Sequence, residues 1–368
     1  MRTMVGSPEL GKHPSDSVDP ALGPPPRPAL GSHARLAFKL AVTALVLGLL
    51  VHFVGWRALV EGLSAARGPW LAAMYASVLL NFGVLGGSLH LLLAKAGLRV
   101  TLRRVLLANA VANYYSLVLP GDLLAGVSKW AVLSAATGKK AQVLSALVLN
   151  KLALGAPPLV FGTVAFAFEN PFPELPIAEA AAAVGLVGAG GTLLALHPRS
   201  AAFVARSLRR LIGPLPAALR KAVEAFLDGL GAFRTLGRRD LAEVLGLATL
   251  AFGLGLVSFS CATRALGLAV PLTTLVWISL ALFLSRLLPI TFNNLGVREG
   301  LLILALGGSA VAPALAVGVG LVMFSNSILL GLVGAGGQLA IALGWASLGA
   351  GSPPGAGDGR SLELGHHP

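Results

Sequence analysis

Polar and charged side chains gather in two interrupted apolar regions of this sequence, 105–134 and 272–307. If these regions lie in a membrane, such residues mark a transport pathway or a buried ion pair, since each charge costs roughly 2.5–3.5 kcal/mol to insert. Cations and amides can hold a phosphate or a coupling ion, and arginine can bind a phosphate through two parallel hydrogen bonds. With Lys151 from the adjacent apolar run, the candidate substrate-binding residues are Asn113, Tyr114, Asp122, Lys129, Lys151, Arg286, Asn293, Asn294, Arg298 and Glu299.

Proline and glycine interrupt both regions, at Pro120 and Gly121 in the first and at Pro289 and Gly296 in the second. Proline removes a backbone donor and leaves a carbonyl one turn earlier unpaired. Lipid cannot satisfy such groups, so a broken helix at membrane depth needs protein or water around it. Helices that begin after each break, at 121–122 and 293–294, would present free amides to an anionic group. We therefore predict a polar cavity between the breaks, lined by Asp122, Lys129, Arg286, Arg298 and Glu299.

These charges also have a purely structural interpretation, in which ion pairs tie the broken helices to the rest of the protein. The candidate pairs are Asp122 with Lys129 or Arg298, and Glu299 with Arg286 or Lys151. Lys151 stands alone in the apolar run 143–168. Its ammonium group either extends to the membrane surface or faces the cavity. The sequence leaves these alternatives open.

Composition excludes most classes of soluble protein. Hydrophobic residues make up 55% of the 368 residues, charged residues only 12%, and the mean hydropathy is +0.81. A soluble domain carries about 25% charged residues, and this chain has too little polar surface to cover a globule of its size. The composition predicts an all-α polytopic membrane protein and excludes a cytosolic enzyme, a coiled coil and a disordered regulator. The single cysteine, Cys261, excludes a disulfide scaffold.

Apolar runs that approach or exceed the roughly 20 residues of a membrane span lie at 36–54, 70–94, 143–168, 177–197, 241–263 and 311–346. Basic residues cluster between them, nine of them in the linker 198–240. The positive-inside rule then predicts a cytoplasmic N-terminus and a cytoplasmic linker in a cell (inner) membrane. With six full spans, the basic connections lie on the cytoplasmic side only if neither interrupted region crosses the membrane. Each such region is then a re-entrant or broken hairpin that returns to the side from which it entered. The net charge of +13 is thus explained by topology, and no nucleic-acid partner is predicted.

The predicted organisation is a disordered cytoplasmic tail over 1–34, a transmembrane domain over 35–348 and a second disordered tail over 349–368. The domain contains about six full spans and two hairpins in two halves, 36–168 and 177–346. Lys95 and Arg264, each followed by a short glycine-containing connection, precede the proline of the next break by the same number of positions. Opposite orientation of the halves would make an inverted repeat, an architecture of transporters with the binding site at the breaks. The glycine-rich stretch 185–191 predicts a close helix contact.

Three features of the sequence resemble one known family: residues 113–129 with their Leu-Pro-Gly-Asp break, residues 288–299 ending in Gly-Val-Arg-Glu, and the eight-segment layout. The chain resembles, over 36–346, the lysylphosphatidylglycerol synthase transmembrane family, a flippase-like membrane domain. The resemblance implies movement of an aminoacylated phospholipid between leaflets. Only a short tail follows residue 348, so we expect the membrane domain without the soluble aminoacyl-transferase domain of the full-length synthases.

The predicted function is that of an integral membrane lipid translocase for a polar-headed phospholipid, with an aminoacylated lipid among the candidates. One alternative is a membrane-embedded transferase acting on a lipid-linked donor, with Asp122 or Glu299 as general base. Another is a non-transporting partner of a separate soluble lipid-modifying enzyme, docked through the linker 198–240, whose apolar residues recur at helical spacing. The expected partners are membrane lipids. The sequence contains no catalytic, cofactor or metal motif, so no catalytic residue, cofactor or metal is predicted.

Overall fold

The structure, a computed structural model, describes residues 66–118, 122–171, 237–286, 296–307 and 311–342, with single positions at 64, between 183 and 190, and at 224. All of them belong to the compact unit Lys39–Pro368. The predicted tails, the run 36–54 and most of 177–240 lie outside the described residues. The described part is helical and contains no strand. Its helices are α1 (Gly68–Lys95), α2 (Leu102–Val118), α3 (Asp122–Thr137), α4 (Lys140–Glu169), α5 (Arg238–Ala265), α6 (Leu272–Ser285), α7 (Val297–Gly307) and α8 (Pro313–Ala342).

Four of these helices, α1, α4, α5 and α8, are long and apolar enough to cross a membrane by length and composition. They match the runs predicted at 70–94, 143–168, 241–263 and 311–346. A helix of 28 residues, such as α1, extends about 42 Å, which exceeds the roughly 30 Å of a bilayer's hydrocarbon core. Large apolar side chains on these helices are exposed, as expected for a lipid-facing surface; they include Val164, Leu250, Val257 and Leu332.

The two interrupted regions form pairs of short helices. Helices α2 and α3 have 17 and 16 residues, and α6 and α7 have 14 and 11. Each is shorter than the roughly 20 residues of a full span. Helix α2 ends at Val118, just before Pro120, and α6 ends at Ser285, one turn before Pro289, so both stop near a predicted break. The start of α7 corrects one expectation, because the helix begins at Val297 and not at 293–294.

Helices α1 and α5 lie side by side and run in opposite directions. The backbone amide of Arg67, which precedes α1, donates to the carbonyl of Ala265 at the end of α5 (2.8 Å). At the other end, the ammonium group of Lys95 pairs with the carboxylate of Asp240 in the first turn of α5. Later positions in α1 therefore meet earlier positions in α5, so the two helices are antiparallel.

The two larger hydrophobic cores of the described helices are built from corresponding positions. One constant shift in residue number relates Leu89 to Phe259, Leu92 to Ala262, Ala96 to Leu266, Val105 to Leu275, and Ala108 to Ile278. Between α4 and α8 the shift is larger by three, and it relates Val143 to Ala316, Ala146 to Val319, and Leu149 to Val322. The second half therefore has three additional residues between α6 and α8, where its break lies.

The ends of corresponding helices also match. Helices α1 and α5 each have 28 residues and α4 and α8 each have 30. Gly97 follows α1 with φ +71° and Gly267 follows α5 with φ +76°. This left-handed conformation, which glycine adopts without steric cost, is the usual way to terminate a helix. The amide of Leu98 then bonds back to a carbonyl of α1 (2.9 Å), and the amide of Leu268 does the same in α5 (3.0 Å).

Glycines allow close contact between the two halves: α4, the last helix of the first half, packs against α6, and α8, the last helix of the second half, packs against α2. A Cβ added to Gly162 of α4 would overlap the Cβ of Leu280 in α6. A Cβ added to Gly334 of α8 would overlap the carbonyl oxygen of Ala110 in α2. Small residues allow such close packing of helices in membranes. The glycine contact predicted within 185–191 is found at Gly185, where a Cβ would overlap the side chain of Thr163 in α4.

Candidate functional site

The start of α7 is fixed by a hydrogen bond that the residue preceding the helix donates to the side chain of its third residue. Gly296 has φ +85°, in the left-handed region that favours glycine. Its amide donates to Oε2 of Glu299 at 2.5 Å. A carboxylate in this position satisfies one of the backbone donors that a helix start leaves unpaired and interacts favourably with the helix dipole. This contact explains why α7 begins at Val297.

The other oxygen of Glu299 binds Arg298. Oε1 accepts a hydrogen bond from Nε of Arg298 at 2.9 Å and another from Nη2 at 2.6 Å. Glu299 is fully buried, and Arg298 is 6% exposed. Both oxygens of the carboxylate therefore accept hydrogen bonds from residues at the start of α7. The sequence offered Arg286 and Lys151 as partners of Glu299; the structure gives Arg298 instead.

This ion pair packs against α8. A Cβ added to Gly320 would lie 2.8 Å from Oε1 of Glu299, so a larger residue here would force the carboxylate to shift. The guanidinium carbon of Arg298 lies 5.8 Å from the ring centre of Phe324, within the range of a cation–π contact. Neither hydrogen bond to Glu299 uses Nη1 of Arg298. The pair therefore joins the second broken helix to the last long helix.

The residues predicted around the first break are described in part. Asn113 and Tyr114 are half-buried on α2, and Tyr114 lies against Gly334 of α8. Asp122 begins α3, but its side chain lies outside the described residues. So do the predicted site or break residues Pro120, Gly121, Pro289, Asn293 and Asn294.

Three predicted cations lie on or beside different helices. Lys129 is half-buried on α3, Lys151 is exposed on α4, and Arg286 is exposed just after the last residue of α6. Lys129 lies eight residues before the end of α3 and Lys151 eleven residues after the start of α4, so both lie at a similar depth from the turn that joins these helices. Within the described part of the chain, no carboxylate forms an ion pair with either lysine. The structure thus pairs Arg298 with Glu299 and places Lys129 and Lys151 at a similar depth on consecutive helices.

The sequence analysis missed a set of polar contacts between the long helices. The hydroxyl of Ser88 on α1 donates to Asn150 on α4 at 2.9 Å, and the amide of Asn326 on α8 donates to Ser258 on α5 at 3.2 Å. The shift in residue number that relates α1 to α5 in the two cores also relates Ser88 to Ser258. That spacing was the sequence signal that could have identified them. Each half therefore ties its first described helix to its last through a serine–asparagine pair.

Glu169 makes a second set of contacts that the sequence did not predict. Its carboxylate, at the end of α4, accepts hydrogen bonds from the hydroxyl of Thr274 (2.9 Å) and from Nε1 of Trp277 (2.6 Å). Both donors belong to the first two turns of α6, where the helix dipole favours a negative charge. These bonds fix the end of α4 to the start of α6.

The arrangement combines four long apolar helices, two broken helical pairs and charged groups at the broken helices. Comparison with curated proteins and with solved structures gave no match. The family model described as the lysylphosphatidylglycerol synthase TM region matches residues 36–334, which include α1 to α7 and most of α8. The chain therefore belongs to the lysylphosphatidylglycerol synthase TM region family and is a multi-pass membrane protein.

Proposed function

We propose that the protein is a lipid translocase that moves a polar-headed phospholipid between the leaflets of the cell (inner) membrane. One observation carries this proposal: both broken helical pairs bear charged residues within a fold whose other described helices are long enough to span a membrane. Charges at membrane depth are costly and characteristically line substrate pathways. The headgroup would cross between the two breaks while the acyl chains stay in lipid.

We further infer that the two halves form an inverted repeat. The matched cores and the matched helix ends support a common plan for both halves. Helices α1 and α5 are counterparts in that plan and run antiparallel, as a two-fold axis in the membrane plane requires. Transporters with inverted repeats bind substrate near the bilayer midplane, at helices interrupted in matching positions.

The glycine contacts suggest how such a repeat could open alternately to each leaflet. Each half packs its last helix against the other half, α4 against α6 and α8 against α2. Gly162 and Gly334 allow the helices to approach closely at these interfaces. Rocking of one half against the other at these interfaces would expose the breaks to one leaflet and then to the other.

The orientation we propose places the N-terminus and the linker 198–240 in the cytoplasm. The ion pair of Lys95 with Asp240 keeps the basic connection after α1 at the same end as the start of α5. Lys139 and Lys140, between α3 and α4, are exposed at one end of α4, and Glu169 lies at the other. Basic connections at one end of the spans agree with the positive-inside rule.

Glu299 is a poor candidate for the general base of a membrane-embedded transferase. Both of its oxygens accept hydrogen bonds, from Gly296 and Arg298, and the side chain has no exposed surface. A general base must reach the proton that it removes from the substrate. This geometry favours the translocase over the transferase that uses Glu299.

The test uses the purified full chain reconstituted into sealed vesicles with a panel of labelled anionic, zwitterionic and aminoacylated phospholipids. We expect protein-dependent movement of label between leaflets and no chemical change in the lipid. If mass spectrometry instead shows a modified lipid formed in detergent, without two compartments, the transferase is supported. If no lipid of the panel moves, the translocase proposal is wrong.

A further inference from the structure

Lys151 lies too deep in its helix for its side chain to reach either end of α4. It is the twelfth residue of α4, which has 30 residues, so it lies about 17 Å along a helix about 45 Å long. A lysine side chain is shorter than the distance to either end. The side chain is exposed, whereas the neighbouring Asn150 and Ala153 are buried. The charge therefore lies in the middle third of α4 and off its packed face.

Lys129 brings a second positive charge to the same place. It lies eight residues before the end of α3, about 12 Å from the turn that joins α3 to α4. Its side chain is half-buried, and along the helical pair its depth differs from that of Lys151 by only about 5 Å. Two ammonium groups in a medium of low dielectric repel each other and lose hydration, unless an anion lies between them.

The protein supplies no such anion in the part that the structure describes. Ion pairs there join Lys95 with Asp240, Arg239 with Glu243, and Arg298 with Glu299. None involves Lys129 or Lys151, and neither lysine has a further described partner. When lysines lie inside a membrane domain and have no carboxylate partner, they are candidates for binding an anionic ligand.

At the corresponding position of the second half, the positive charge is neutralised. The shift in residue number that relates α4 to α8 pairs Lys151 with Phe324, and the guanidinium group of Arg298 lies over the ring of Phe324. In the second half a cation of α7 therefore lies beside the position that corresponds to Lys151. In the second half Glu299 neutralises that cation. In the first half the position holds a second cation, and the described residues offer no counter-charge.

We propose that Lys129 and Lys151 together bind a phosphate group, that of a phospholipid crossing between leaflets. The proposal rests on the translocase function proposed above, and it names the part of the substrate that the first half would recognise. Two ammonium groups can donate several hydrogen bonds to phosphate oxygens, and such charge-assisted bonds are the strongest of their kind. Free inorganic phosphate has the same chemistry, so the test must separate the two sources.

The test measures ligand-induced thermal stabilisation of the full chain in a neutral detergent without phosphate buffer. The probes are phosphatidylglycerol, diacylglycerol and inorganic phosphate. We expect phosphatidylglycerol to raise the unfolding midpoint and diacylglycerol to leave it unchanged. The double variant Lys129→Gln/Lys151→Gln should lose the shift, with an apparent affinity at least about tenfold weaker, the effect of about 1.4 kcal/mol. Lys129→Arg/Lys151→Arg should keep most of it.

A matched control removes two lysines elsewhere on the same helical pair. Lys139→Gln/Lys140→Gln removes the exposed lysines at the turn between α3 and α4 and should bind phosphatidylglycerol like the unmodified chain. Without ligand, Lys129→Gln/Lys151→Gln should unfold no earlier than the unmodified chain, because the variant removes a repulsion. A lower midpoint without ligand would instead mean that the lysines are structural and would overturn the proposal.

Other outcomes are equally decisive. If phosphatidylglycerol raises the unfolding midpoint equally in Lys129→Gln/Lys151→Gln and in the unmodified chain, these lysines do not form the site. If inorganic phosphate raises the unfolding midpoint as much as phosphatidylglycerol does, the ligand is free phosphate and the proposal of a lipid phosphate is wrong. If the vesicles show no lipid movement but the lysine-dependent shift persists, the translocase function fails while the phosphate site stands.

Discussion

At the scale of single residues, the charges of the two broken helical pairs have different partners. Glu299 and Arg298 neutralise each other in a buried pair, and Glu299 also holds the amide of Gly296. Lys129 and Lys151 have no described carboxylate partner. The first pair is suited to holding α7 against α8, and the second is the pair that we propose as an anion site.

The buried pair gives a prediction about stability. Glu299→Gln leaves the guanidinium group of Arg298 buried without its counter-charge, and breaking a buried pair in this way costs about 3–5 kcal/mol. We expect a large fall in the unfolding free energy of the protein in detergent, measured by denaturant titration. Glu243→Gln breaks the exposed pair with Arg239 and should change it little. Similar losses in the two variants would contradict the role of Glu299.

The sequence predicted where these charges lie but not which of them pair. The break at Pro289 and the run from Gly296 to Glu299 are local signals, because proline and glycine affect the backbone at their own positions. The partner of Glu299 depends on how α7 packs against Gly320 of α8, a contact between residues distant in sequence. The start of α7 was placed too early for a related reason, since the bond from Gly296 to Glu299 fixes it.

At the scale of helices, close contacts at glycine decide how the two halves meet. Gly162 packs on Leu280 and Gly334 packs on Ala110, each on a helix of the other half. The sequence predicted α1, α4, α5 and α8 correctly, because the signal of a long span is a continuous apolar run. It did not predict which helices touch, because glycines are frequent throughout this chain and most of those described have no close neighbour.

A pair of glycine variants tests these contacts. Gly334→Ala would place a Cβ on top of the carbonyl oxygen of Ala110, whereas a Cβ on Gly336 has nothing within 4 Å. We expect Gly334→Ala to lower the unfolding midpoint in detergent. Gly336→Ala should keep or raise it, since alanine favours a helix over glycine by up to about 1 kcal/mol. A midpoint for Gly334→Ala that matches that of Gly336→Ala would show that α2 and α8 do not pack closely there.

At the scale of the whole molecule, the contacts between helix ends predict a topology. The pair of Lys95 with Asp240 joins one end of α1 to one end of α5, and the bond of Glu169 with Thr274 joins the far end of α4 to the start of α6. Positions 139 and 237 should therefore lie on the cytoplasmic side, and positions 170 and 271 on the opposite side.

Cysteine labelling checks this topology in a Cys261→Ala background. Single cysteines in place of Lys139 and Gly237 should react only with a reagent that enters the cell, and cysteines in place of Asn170 and Pro271 with one that does not. All four positions are exposed, so a lack of reaction cannot come from burial. Labelling of Lys139→Cys and Asn170→Cys from one side would mean that α4 does not cross the membrane and would contradict the fold we infer.

Lipid movement itself is the most direct test of the translocase proposal. The full chain is reconstituted into sealed vesicles that carry a fluorescent phospholipid in both leaflets, and a membrane-impermeant reductant is added outside. In protein-free vesicles only the outer leaflet loses fluorescence. We expect vesicles that contain the protein to lose the inner-leaflet fluorescence as well, while an enclosed soluble dye remains protected. If the inner leaflet stays fluorescent for every phospholipid in the panel, the protein is not a lipid translocase.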